Sequence, residues 1–144
     1  LQDNLAVPAV AAERGADMWL HAGSYVESAP DGTMYNTSLL LGPEGVDVRY
    51  RKIHRFGFGA GEAVVMGAGE EIVTVPTAFG TLGLATCYDL RFPEMFRLLT
   101  DAGAELFVLC SAWPERRIEH WRVLNRARAI ESQVFVLAAN DVGR

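Results

Sequence analysis

Alternating strand-like and helix-like segments after residue 70, two strands made of continuous apolar runs, and an earlier block of short strands joined by tight turns together predict an α/β fold. The chain has 144 residues, half of them apolar and 22% charged. That balance suits one soluble globular domain able to bury a core.

Taken in order, Ala6 to Glu13 favours helix, with Gly15 suited to the left-handed position after its end. Trp19 to Val26 alternates apolar with small or polar residues, and Asn36 to Leu41 does so again after a turn at Pro30-Asp31-Gly32. A second turn at Gly42-Pro43-Glu44-Gly45 leads into Val46 to Arg51, so these three strands read as an antiparallel unit. Arg55 to Gly69 holds five glycines and little periodicity, which predicts a loop that moves or approaches other parts of the molecule closely. Strand Glu71 to Val75, strand Thr81 to Thr86, helix Pro93 to Ala102, strand Leu106 to Cys110, helix Arg117 to Ser132 and strand Val134 to Ala139 follow. The unbroken apolar runs at Leu82 to Ala85 and Leu106 to Leu109 predict strands covered on both faces. On the last helix, Ile118, Trp121, Leu124 and Ala127 form a packed face, and Arg128 and Glu131 are spaced to pair.

Composition excludes several functions. The net charge is −5, and the thirteen basic residues are scattered except at Arg49-Tyr50-Arg51-Lys52 and Glu115-Arg116-Arg117, so no nucleic-acid footprint is expected. No apolar run approaches the roughly 20 residues that cross a bilayer, and no membrane partner is expected. Cys87 and Cys110 are too few to staple a fold of this size, and with no secretory pattern the expected setting is reducing and cytoplasmic. His21, His54 and His120 lack metal-ligand spacing. Gly57-Phe-Gly59-Ala-Gly61 lacks the full dinucleotide-binding spacing and no helix pattern follows it. Both ends read as cut, because Leu1 enters a globular segment at once and Arg144 follows an apolar run. The expectation is a single domain over 1–144, truncated at both ends.

The most informative segment runs from Thr81 to Arg97, where an apolar strand stops at Cys87 and a helix begins at Pro93. A thiol on such a turn lies near peptide N–H groups, which favour a thiolate and can bind an oxyanion. A cysteine in an apolar setting is otherwise a small core residue. The polar group Tyr88-Asp89-Leu90-Arg91 beside the thiol speaks for chemistry instead.

The segment Cys87-Tyr-Asp-Leu-Arg-Phe-Pro-Glu94 resembles the nucleophile motif of the nitrilase superfamily, the carbon-nitrogen hydrolases. Three further segments resemble that family in order and spacing: Tyr35-Asn-Thr37, Tyr50-Arg-Lys-Ile-His54, and Ser111-Ala-Trp-Pro114 with His120-Trp121 and Arg126 to Glu131. The resemblance covers Tyr35 to Asn140 and implies the central part of a four-layer α-β-β-α sandwich. It also implies that Cys87 is the nucleophile, Lys52 the cation on the oxyanion side, Glu62 the second glutamate of the set, and the backbone N–H of Tyr88 part of the oxyanion site. Without it, Lys52 would read as a solvated strand-end lysine and Glu62 as a loop surface charge. The family's general-base glutamate is expected upstream of Leu1, since neither Glu13 nor Glu27 lies in the required surroundings.

The function this resemblance implies is hydrolysis of a small carboxamide through a cysteine thioester, releasing ammonia, as in the ω-amidase-like branch. N-carbamoyl amide hydrolysis is the nearest enzymatic alternative. A non-catalytic fragment or interaction domain is the alternative that the absent glutamate motivates. The chemistry requires neither metal nor organic cofactor, and full-length relatives are expected to form homodimers or higher homo-oligomers.

Overall fold

The computed structural model describes residues 18–45, 47–57 and 59–141. The helix expected at Ala6 to Glu13 lies outside them, as does Glu13.

The first sheet is the antiparallel unit expected from the turns. Strand β1 (Leu20–Ser28) pairs with β2 (Met34–Leu41), and β2 with β3 (Asp47–Arg51), in the order β1-β2-β3. The first hairpin turn closes through Gly32 N–H to the Ala29 carbonyl and Thr33 N–H to Asp31 Oδ1, both 2.9 Å, as expected of Pro-Asp-Gly. A bulge between His21 and Ser24, with Gly23 at φ 80°, bends β1 and resets its register.

The second sheet has the order β4-β5-β6-β7, from β4 (Thr74–Thr77), β5 (Gly80–Thr86), β6 (Leu106–Ser111) and β7 (Phe135–Asn140). Strands β5, β6 and β7 are parallel, while β4 runs antiparallel to β5. Helix α2 (Pro93–Asp101) connects β5 to β6, and α3 (Ile118–Ser132) connects β6 to β7, as parallel neighbours require.

The placement of β4 is a correction. Its ladder begins at Thr74 rather than Glu71, because Ile72 and Val73 pack against the core as irregular chain and pairing starts only at Thr74 with Gly83. The loop from Arg55 to Gly69 also differs, since it holds one helical turn, α1 (Glu62–Val65). Gly61 precedes that turn at φ 76°, and Arg55 donates to the carbonyls of Ala63 and Met66 at its end. A cation there complements the exposed carbonyls, so local charge makes a turn where periodicity is absent.

The second sheet is covered on both faces where its strands are apolar throughout. On one face, the ring of Phe107 meets Phe96 of α2 edge-on at 5.0 Å, and Gly83 leaves room for Leu99 and Ala104. On the other, Thr86 and Cys110 face the first sheet, where the Ser24 hydroxyl of β1 lies against the Cys110 thiol. Leu40 and Tyr50 from the first sheet join Leu82, Leu84, Phe107 and Leu109 in one buried cluster. Two sheets face to face with helices outside the second are three layers of the expected sandwich.

Candidate active site

A cavity of about 510 Å³ opens where β5 and β6 end against the first sheet. Its lining includes Lys52, Glu62, Cys87, Tyr88 and Cys110, so every residue the resemblance singled out reaches one space.

Each arrives by a local cause. Cys87 directly follows β5 and starts a 3-10 turn, Cys87–Arg91, that was not expected from sequence. Its φ of 48° is a left-handed conformation uncommon for a residue with a Cβ. Such a conformation persists only where the surroundings hold it, and here it turns the chain out of the sheet at the cavity. Asp89 supplies much of that hold: its side chain is fully buried and reaches back to the Thr86 N–H at 2.9 Å. From behind, Arg128 of α3 donates to the Leu90 carbonyl through Nε (3.2 Å) and Nη2 (2.8 Å). The expected Arg128–Glu131 pair is present at 2.7 Å, but Arg128 is itself buried and braces the turn as well.

Lys52 lies just past β3 and is 2% exposed, so it is not a solvated strand-end lysine. Its Nζ donates to Glu62 Oε2 at 2.6 Å. Glu62 Oε1 accepts from the Asn36 amide at 2.5 Å, and Oε2 also accepts from the Phe56 N–H at 2.8 Å. Burial pushes the Glu62 carboxyl up, but Lys52, the Phe56 N–H and Asn36 outweigh it and hold the group below the usual carboxylate range. Asn36 sits within the Tyr35-Asn-Thr37 motif, where sequence reading attached no role to it. Its backbone carbonyl also accepts the Lys52 N–H at 2.8 Å, so it anchors both members of the pair.

The thiol differs from expectation. Burial pushes Cys87 up, the Lys52 ammonium and the Ala112 backbone N–H draw it back, and Glu62 and Asp89 oppose them. The turn alone therefore does not supply a thiolate. Cys110 is buried beside Thr86, and both cysteines are free.

Sequence reading assigned no role to several wall residues. Arg91 stands 4.9 Å from the Trp113 ring centroid, and its Nη2 lies 3.3 Å from His120 Nδ1. Arg117 also lines the cavity, while its carbonyl accepts the Trp113 indole N–H at 3.0 Å. Glu62 is the one carboxylate on that wall among the described residues. Arg91 stands in the polar group beside the thiol and Arg117 in a short basic run, but nothing in the sequence shows that these segments, 26 residues apart, meet at one cavity. Of the histidines, His54 stacks on Phe92 at 3.7 Å and pairs with Asp89. Glu27 lies elsewhere, bonded to Arg51 and Thr37.

Two facing sheets, helices outside the second and a cavity at its parallel strand ends make an α/β sandwich of the class seen in nitrilase-superfamily structures. The chain belongs to the carbon-nitrogen hydrolase family, which matches residues 9–144. It is 46% identical over 138 residues to a 2-oxoglutaramate amidase of Paenarthrobacter nicotinovorans, covering 90% of this chain and 47% of the relative. It is 37% identical over 139 residues to a deaminated glutathione amidase of Dictyostelium discoideum, covering 88% and 48%. A crystal structure of a Saccharomyces cerevisiae protein from branch 10 of the nitrilase superfamily superposes with a TM-score of 0.85 at 30% identity, covering 96% of this chain and 50% of that one. The chain thus spans about half the length of the relatives it matches.

Proposed function

We propose that this chain carries the nucleophile half of a cysteine-dependent amidase, acting on a small carboxamide that bears a carboxylate. The observation that carries the reading is the convergence of Cys87 and the buried Lys52–Glu62 pair on one cavity. In this reading the Cys87 sulfur attacks the amide carbonyl, and the Lys52 ammonium with the Tyr88 N–H holds the oxyanion. The thiol proton passes by way of a carboxylate base to the leaving nitrogen, and ammonia departs. Water then adds to the thioester carbonyl, the acid leaves and the thiol is restored. Glu62 serves here to keep Lys52 charged and aimed. The base is a glutamate that the family resemblance implies, other than Glu62.

The carboxylate on the substrate rests on Arg91 and Arg117. Lys52 and Glu62 offset one another, so the guanidinium groups of Arg91 and Arg117, which have no carboxylate partner among the described residues, leave the wall positive. The 46%-identical relative, a 2-oxoglutaramate amidase, agrees with such a substrate. Assembly as a homodimer or higher homo-oligomer belongs to the same reading. So does a cytoplasmic setting, which keeps the free Cys87 thiol reduced.

The test is ammonia release by the full-length protein from 2-oxoglutaramate, from a neutral aliphatic amide and from an N-carbamoyl amino acid, each with Cys87→Ala as control. Cys87-dependent turnover that prefers the carboxylate-bearing amide, with Arg117→Ala raising KM for it alone, is the expected result. Preference for the carbamoyl substrate would favour that alternative, and absence of Cys87-dependent turnover would favour a non-catalytic role.

A further inference from the structure

Two segments far apart in sequence carry the proposed lysine and cysteine, and one buried carboxylate ties them together. Asp89 Oδ2 accepts from the Tyr50 hydroxyl at 2.7 Å and from the Thr86 N–H at 2.9 Å. Its Oδ1 accepts from the His54 N–H at 2.9 Å and pairs with His54 Nδ1 at 2.9 Å. Tyr50 and His54 stand two residues either side of Lys52, and Thr86 is the residue before Cys87. The Tyr50 hydroxyl also accepts the Ile53 N–H at 3.2 Å, which closes the chain around Lys52.

A carboxylate buried without a full salt bridge is costly unless its oxygens are all engaged. Here they are, and every donor belongs to a residue within two positions of Lys52 or directly before Cys87. Asp89 itself does not line the cavity. An interior residue kept only for packing would need none of these bonds.

We propose that Asp89 is a positioning residue for the amidase reaction: its carboxylate clamps the Lys52 segment to the Cys87 turn and sets the distance between cation and sulfur. The inference rests on the amidase reading above. Because the clamp acts on the geometry of attack and not on substrate contacts, its loss lowers kcat and leaves KM nearly unchanged. Asp89→Asn keeps the volume but replaces one acceptor oxygen by a donor. Whichever way the amide lies, a backbone N–H, of Thr86 or of His54, loses its acceptor.

The experiment uses the full-length protein and compares wild type, Asp89→Asn, Tyr50→Phe and Leu99→Ala on one carboxamide. Leu99 lies in the core between α2 and the second sheet, away from the cavity, and serves as a control for lost stability. The expected result is a fall in kcat of roughly 10–100-fold for Asp89→Asn with KM within about threefold. Tyr50→Phe, which removes a single donor, should show a smaller fall of the same kind. It decides the matter if Asp89→Asn does not fold. Leu99→Ala should lose Tm and keep its kcat once the folded fraction is counted. A kcat near wild type in Asp89→Asn, or in Tyr50→Phe where that variant decides, overturns the clamp, and so does a matching kcat loss in Leu99→Ala. Failure of the amidase reading is told apart by Cys87→Ala: turnover that survives it sinks that reading whatever Asp89 does.

Discussion

Replacing Lys52 with methionine removes one positive charge while the apolar stem stays in place, and two effects of different origin follow. The first is on rate. If the ammonium holds the oxyanion, its loss removes an interaction made mainly in the transition state, which in comparable sites costs ~10²–10³ in kcat, or about 2.7–4 kcal/mol. The second is on stability. Breaking a fully buried ion pair costs about 3–5 kcal/mol because the remaining charge is stranded. Glu62 would keep the Asn36 amide and the Phe56 N–H, and its side chain is 20% exposed. The loss should therefore be smaller, about 1–3 kcal/mol, with a Tm drop of about 3–10 °C. Lys52→Met combined with Glu62→Gln separates the two effects, since neutralising the stranded carboxylate restores part of the Tm without restoring the cation. Steady-state ammonia release and a thermal melt on the same samples read both. A kcat for Lys52→Met within about threefold of wild type, or a double variant that regains rate along with Tm, would refute the assignment.

Further outcomes follow from other parts of the structure. Cys87→Ala should abolish amide hydrolysis with little change in Tm, and residual turnover above about 1% would exclude the thiol as nucleophile. Because burial raises the Cys87 thiol, its alkylation rate should still climb above the ordinary value of 9.0, and a plateau below roughly pH 8 would contradict this. Gly69→Ala would put a Cβ 2.0 Å from the Arg51 carbonyl oxygen, beside the Gly69 N–H bond to the Lys52 carbonyl. The strand end must move, so stability should fall by about 1–3 kcal/mol and kcat should fall with it; an unchanged melt would be evidence against the contact. Glu27 is held at about 2, chiefly by Arg51. A carboxyl lowered on folding stabilises above its unfolded value near 4.5 and loses that contribution as pH falls toward 2. Glu27→Gln should therefore lower Tm at neutral pH, by an amount that shrinks through this window; a difference independent of pH would remove the ion pair from the account.

The sequence by itself determined the α/β class, the antiparallel first unit, the covered strands β5 and β6, and helix α2 starting at Pro93. These are local matters: apolar periodicity, turn residues and the fixed φ of proline act within a few residues. Resemblance at four ordered motifs also marked Lys52 and Cys87, and place in the loop after the lysine marked Glu62. What only the tertiary structure decided lies between segments. Burial of Lys52, the Lys52 and Asn36 bonds to Glu62, the Tyr50 and His54 bonds to Asp89 and the arrival of Arg91 and Arg117 at one wall each join residues 10 to 39 positions apart. The same cause raised Cys87 where its turn alone suggested the opposite, because desolvation depends on everything packed around a group, and that is set only once the two sheets close.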